Sequence, residues 1–121
     1  MSAFHLGSVA DPIIAGNDLD LEIAATTQSG TVLDLSGASV LRYALFAMQG
    51  DLPVNTPTLT LDIAGGVTIT AGSLGQAQVA LTNSHTSLLT GRDWHVLRYQ
   101  GALGYLDIFQ GLVVSTRGLQ F

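Results

Sequence analysis

Cysteine is absent from the 121-residue chain, which excludes disulfides, thiolate metal sites and thiol chemistry, and leaves stability to packing. Lysine is absent too: the four basic residues are Arg42, Arg92, Arg98 and Arg117, scattered along the chain. They make no basic stripe to neutralise phosphates, so nucleic acid is not expected as a partner. Charge of either sign is sparse, at 11% of residues against an average of about 25%, and the total is −5. Residues 63–91 contain no Asp, Glu, Lys or Arg. Long apolar runs are missing as well. None approaches the roughly 18 residues of a membrane span, so no membrane partner is expected. The start, "MSAFHLGSVADPIIAG", has neither a basic nor a continuous apolar region of the secretory kind, which points to synthesis in a cytoplasm.

What is present is apolar: 47% of residues are hydrophobic and mean hydropathy is +0.42, too high for a disordered chain. The length fits one domain. Natural sheets guard exposed edges with charge, so a surface this poor in charge is expected to be covered in part by other protein. The alternative is a surface of Thr, Ser, Gln and Gly that stays soluble without charge.

The dominant rhythm is short period-two segments divided by Gly, Asn, Asp or Pro about every 8 to 12 residues, which predicts an all-β domain of about eight strands. "DLDLEIAATT" alternates Asp18, Asp20 and Glu22 with Leu19, Leu21 and Ile23, giving one solvated and one core face. "DLSG" then reads as a turn held by Asp34 and Ser36, with Gly37 at positive φ. "ASVLRYALFAM" is apolar on both faces, as central strands are. "TLTLDI" points Leu59, Leu61 and Ile63 inward, and "VTIT" and "GQAQVALT" continue the alternation around "AGSLG". "NSHTSLLTG" predicts one helical turn capped by Asn83 or Ser84, with Leu88 and Leu89 plugging the core and Gly91 ending it. "DWHVLRYQ" and "YLDIFQGLVVST" read as a hairpin around "GALG". The expected architecture is an antiparallel β-sandwich, immunoglobulin-like or jelly-roll-like, over residues 15–121, preceded by an N-terminal arm at 1–14.

Chemistry is harder to find. Asp93 and His95, two apart on a strand, share a face and would let a carboxylate orient an imidazole, but no serine sits in a nucleophile-elbow sequence. The expectation is a partly exposed polar pair opposite a buried Trp94. The Asp18, Asp20 and Glu22 stripe spreads its carboxylates ~7 Å apart along a strand and reads as a solvated face, not a calcium site. His5, His85 and His95 lack zinc spacing, and no Gly-rich segment leads into a lysine or helix. Tyr99 and Tyr105 flank the last turn; they read as a cross-strand stabilising pair, with a sugar-binding platform as the alternative. No catalytic, metal-ligating or cofactor-binding residue is assigned, and no enzyme is expected.

The stretch "GNDLDLEIAATTQSGTVLDLSGASVLRYALF", followed by "GVTIT", "GQAQVALT", "LLTGRDWHVLRY" and "GLVV", resembles the N-terminal β-sandwich module of phage baseplate upper proteins and related virion modules. The resemblance covers about residues 16–115 and rests on turn and strand signatures. It implies a non-enzymatic structural protein of the virion, made in the host bacterium's cytoplasm. Its partners would be other tail, fibre or capsid proteins and its own copies, with a trimer as one candidate stoichiometry. Baseplate upper proteins continue into a receptor-binding region, whereas this sequence ends at Phe121, which favours an adaptor, fibre base or decoration protein. Candidate interface residues are Phe4, Leu6, Ile13 and Ile14 in the arm, Arg42 in the central strand, and Phe121. The contrasting expectation is a carbohydrate-binding sandwich that uses Trp94, Tyr99 or Tyr105.

Overall fold

Alternation of side chains sorts nearly every strand into one face that packs and one that does not. The structure, a computed structural model, describes residues 2–3, 13–26, 29–101 and 104–117. In chain order the elements are β1 (Ser2–Ala3), β2 (Ile13–Ala15), β3 (Leu19–Ala24), β4 (Ala38–Gln49), β5 (Leu52–Pro53), β6 (Leu59–Leu61), β7 (Val67–Ala71), β8 (Gln76–Leu81), α1 (Asn83–Thr86), β9 (Arg92–Gly101) and β10 (Gly104–Arg117). Eight of the strands have three residues or more; β1 and β5 are two-residue pairings.

Two sheets pack face to face. The larger runs β1-β10-β9-β4-β5, with β2 also on β10 and β6 also on β4; the smaller runs β3-β8-β7. The β-sandwich and its all-β class are as the alternation implies. Of the two candidate topologies, the connectivity matches the immunoglobulin arrangement, in which strands B-E-D face G-F-C and the F–G and D–E pairs are hairpins. Here β3-β8-β7 faces β10-β9-β4, and β7–β8 and β9–β10 are the hairpins.

The core lies between the sheets. Leu21 and Ile23 of β3, Val79 of β8 and Val67 of β7 meet Leu41 and Tyr43 of β4, Leu97 and Tyr99 of β9, and Ile108 and Phe109 of β10. Each fully buried aliphatic chain contributes about 1.5–3 kcal/mol. The loop between β3 and β4 also feeds this core through Leu33 and Leu35, at 3% and 0% exposure, although 31–37 is not a strand.

Several local expectations give way. Gly37 does not have positive φ; the "DLSG" turn is held by Asp34, which accepts hydrogen bonds from the Ser36 amide (2.9 Å) and hydroxyl. Ile63 is 38% exposed because β6 ends at Leu61 and the chain turns out through Ala64, at φ 66. The helical turn is capped by Thr82, whose amide donates to His85 Nδ1 (3.1 Å), not by Asn83 or Ser84. Its buried residue is Thr86, while Leu88 is 43% exposed and Leu89 lies outside the core cluster. The turn closes at Ser87, ahead of Gly91.

The arm boundary at 14/15 falls inside β2, which pairs in parallel with Ser115, Thr116 and Arg117 of the same chain. β1 pairs likewise with Phe109 and Gln110. These segments therefore extend their own sheet. Thr86 fixes where β2 leaves the body: its hydroxyl accepts from the Gly16 amide (3.0 Å) and donates to the Asn17 carbonyl (2.7 Å).

Candidate functional site

Polar chemistry is concentrated on β9, where Asp93 and His95 share one face. That face is the inner one. Both residues are 0% exposed, and Trp94 points to the outer side, where it is half-buried. This reverses the expected partly exposed pair opposite a buried tryptophan. The reason is phase: Leu97 and Tyr99 are core residues, and stepping back from them by twos along the strand lands on His95 and Asp93.

Each buried polar group has a structural task. The Asp93 carboxylate accepts from the Thr90 amide (2.8 Å) and hydroxyl (3.0 Å), which clasps the loop before β9. Burial pushes its pKa up, against the two Thr90 hydrogen bonds, which pull it down. Nδ1 of His95 lies 3.2 Å from the Tyr43 hydroxyl, and the two rings meet edge-on, 82° apart. Phe109 packs against the other side of the imidazole, with centroids 4.8 Å apart. Burial first, and the Asp93 charge second, raise the Tyr43 pKa far above its ordinary value, so the phenol stays protonated. Nδ1, which the carboxylate holds in a hydrolytic triad, thus faces a phenol, while the Asp93 carboxylate is engaged by Thr90, and the group is sealed from solvent.

A pocket of about 210 Å³ lies next to this clasp, lined by Ala15, Ser87, Leu89, Thr90, Gly91, Ser115 and Thr116. Hydroxyls and aliphatic groups line it, with no charged side chain. Among the described residues no group of three or more His, Asp or Glu is placed to hold a metal ion, and no helix is long and apolar enough to cross a membrane. In the acidic stripe, Asp18 accepts from the Asn83 amide (2.6 Å) and Glu22 from the Gln78 side chain (3.1 Å). Asp20 and Glu22 lie on the exposed side of β3.

The other concentration of chemistry is the outer face of the larger sheet. The pairing registers align its side chains in rows across β4, β9 and β10. Phe46 stands opposite Trp94, and Trp94 opposite Leu112; Ala44 stands opposite Val96, and Val96 opposite Gln110. Phe46, Trp94 and Leu112 are all half-buried, and Val96 in the row beside them is 9% exposed. The next row is charged. Arg42 stands opposite Arg98. Arg42 Nε donates to Asp62 Oδ1 (2.7 Å) on one flank, and Arg98 Nε to Asp107 Oδ1 (2.8 Å) on the other. Tyr105 stands over the Arg98 guanidinium at 4.9 Å. Arg42 thus pairs with a carboxylate at the sheet edge. Its side chain and that of Asp62 are about half exposed, so this ion pair contributes little to stability, on the order of 0–1 kcal/mol.

Of the candidate interface residues, Arg42 lies on this face and Ile14, 43% exposed, lies on β2 with Ile13 beside it. Phe4, Leu6 and Phe121 lie outside the described residues. The structure does not bring Arg42 and β2 together: β9 and β10 separate them. Tyr99 and Tyr105 form neither a stabilising pair nor a platform, because Tyr99 is 1% exposed in the core and faces Leu106, while Tyr105 faces Gln100. The Phe46–Trp94–Leu112 row went unread in the sequence. Its signal was the two-sided apolarity of β4, which marks a strand with something to bury on both faces. Compared with known proteins, the chain matches no protein-family model and no curated protein sequence.

Proposed function

We propose that this chain is a non-enzymatic structural module of a bacteriophage virion, a β-sandwich that docks on or links tail, fibre or capsid components. The observation that carries the reading is the outer face of the larger sheet. It presents Phe46, Trp94 and Leu112 and, across the Ala44–Val96 row, a row of two ion pairs, on a chain in which 11% of residues are charged. An apolar centre with aromatic anchors and a charged, wetter border is the anatomy of a protein interface. The buried polar groups support the non-enzymatic half of the reading, since Asp93, His95 and Tyr43 are spent on holding loop to strand and strand to strand. The module's resemblance to baseplate upper proteins supplies the setting.

The test is whether the chain travels with particles. Virions purified by density gradient from the bacterium that carries the gene are expected to contain it at a fixed ratio to the major capsid or tail protein, read by quantitative mass spectrometry. Recovery only in the soluble fraction would sink the proposal. A second reading keeps one specific support: Trp94 and Tyr105 share the outer face, as a carbohydrate-binding sheet would require. Binding of host polysaccharide by the isolated chain, lost in Trp94→Ala, would favour it.

A further inference from the structure

We infer that the outer face of the larger sheet pairs with the same face of a second copy of this chain, about a two-fold axis that lies in the plane of the sheet and runs across its strands. The inference rests on the structural reading above and names its first partner. Charge selects both the occupant and the axis. The row across β4, β9 and β10, with Asp62 just past the end of β6, reads Asp62, Arg42, Arg98, Asp107, so the signs run minus, plus, plus, minus. A partner of uniform sign would meet repulsion somewhere along it. A two-fold axis parallel to the strands would lay that row on its own image, Arg42 on the partner copy's Arg98 and Asp62 on its Asp107, which is repulsive throughout.

Turning the axis across the strands removes the conflict. The Ala44–Val96 row, central to the face, then meets itself. The row on one side of it, Arg42 and Arg98, meets the row on the other side, Phe46 and Trp94. Guanidinium planes over aromatic rings are favourable contacts, and the face already contains one, Arg98 on Tyr105 at 4.9 Å. Each half of the face thus carries what the other half needs, as an isologous contact requires. Size sets the strength. Rows spaced ~7 Å along four strands spaced ~4.8 Å give a face of about 30 by 17 Å, or roughly 1,000 Å² over both copies, the lower limit for a specific interface. The dimer is therefore expected to be reversible and concentration-dependent.

Trp94 is the only tryptophan and lies on the face, so its emission reports directly on occupancy. Full-length chain is taken through a concentration series by sedimentation, with acrylamide quenching read in parallel. The expected result is a mass rising from 12.6 kDa to twice that, with quenching falling several-fold over the same range. A constant mass of 12.6 kDa overturns the inference, as does a tripled mass or a doubling that leaves quenching unchanged. Trp94 already shielded in the monomer also overturns it, because another segment of the same chain then occupies the face. The axis is tested with thiols. The chain has no cysteine, so Gln110→Cys or Thr60→Cys, both in the central row, provides a single site for a short bis-maleimide. Each variant is expected to crosslink to itself. Crosslinking only when the two are mixed identifies the parallel axis and refutes the one proposed. A monomer found in purified particles overturns this inference and leaves the structural role; a dimer that never enters particles does the reverse.

Discussion

Gly75 follows the 3-10 turn between β7 and β8 and lies at a close crossing of two backbone segments. It adopts φ 70 and ψ 21, in the left-handed region. A Cβ added there would lie 2.7 Å from the Ala25 carbonyl oxygen and 2.7 Å from that of Leu33. Both carbonyls belong to the loop that carries Leu33 and Leu35 into the core. Gly75→Ala therefore has two costs. The left-handed conformation costs an alanine about 1–2 kcal/mol. Displacing the two carbonyls breaks the bonds from Ala25 N to Gly75 O (2.8 Å) and from Leu33 N to Ala25 O (3.0 Å), in a region where Ala25 and Leu33 are 1% and 3% exposed. Each such loss costs about 1 kcal/mol or more, for a total of about 3–4 kcal/mol. Gly30 separates the two costs: its φ is 87, but an added Cβ would meet nothing within 4 Å. Gly30→Ala is expected to cost only the conformational part, and the entropy that alanine removes from the unfolded chain cancels between the two variants. Urea unfolding read by Trp94 emission, at one fixed protein concentration, should place the Gly75→Ala midpoint about 1 M below that of Gly30→Ala. Equal midpoints would refute the steric argument.

Tyr43→Phe removes the hydroxyl 3.2 Å from His95 in a fully buried site, and is expected to cost about 1–3 kcal/mol in the same urea assay. Arg42→Ala is expected to change the isolated monomer by less than about 1 kcal/mol, because its partner Asp62 is half exposed. A larger loss would place Arg42 in the fold rather than at its surface. Asp93 sets a pH dependence. Burial raises its folded pKa above the unfolded 3.8, so the folded state holds the proton more tightly. The stability this group contributes is complete below 3.8 and is lost as pH rises through the folded value. Asp93→Asn should therefore lose more stability than the wild type between pH 7 and pH 4, measured by thermal unfolding. An equal or smaller loss would contradict the direction given for Asp93.

The strands were legible because burial obeys alternation. β3, β8 and β9 follow period two, β4 does so after an irregularity between Ala38 and Val40, β10 on either side of a bulge between Asp107 and Phe109, and both hairpins lie where glycine clusters interrupt the pattern. Facing was less legible wherever residue polarity and strand phase disagreed. Around Trp94 polarity argues Asp93 and His95 outward, whereas the phase of Leu97 and Tyr99 argues them inward. Phase wins because one strand cannot reverse its faces without a bulge, and Leu97 and Tyr99 are kept inward while the two polar residues find Thr90 and Tyr43. Ile63 failed for the complementary reason: its alternation continues past Leu61, but the pairing with β4 does not. Leu33 and Leu35 reach the core from a loop, which no strand pattern marks. Arg42 was a recognisable anomaly in the sequence, yet its partner Asp62 comes from a different strand segment and only the register of β6 against β4 brings them together.

The same register explains why scarcity of charge has two meanings in this molecule. The uncharged stretch 63–91 becomes β7, β8 and α1; the outer side of β7 and β8 carries Thr68, Thr70, Gln76, Gln78 and the small Ala80, while Ile63, Leu74 and Leu88 are exposed in the turns around them. Thr and Gln on the strands are hydrogen-bonding groups that water satisfies, so the outer face of β7 and β8 is hydrated despite its lack of charge. The larger sheet is different. Four of the charges cancel in pairs within one row, and the row with Phe46, Trp94 and Leu112 is made of rings and an aliphatic chain, with the Trp94 indole N–H as its one side-chain donor. Poor charge is therefore an argument for association on the outer face of the larger sheet and not on that of the smaller one. What distinguishes them is whether the uncharged positions are amides and hydroxyls or rings and aliphatic chains. A substitution that adds charge should discriminate between the sheets: Thr68→Glu is expected to leave oligomeric mass unchanged in sedimentation, while Thr60→Glu, on the outer face of the larger sheet, should hold the chain at 12.6 kDa.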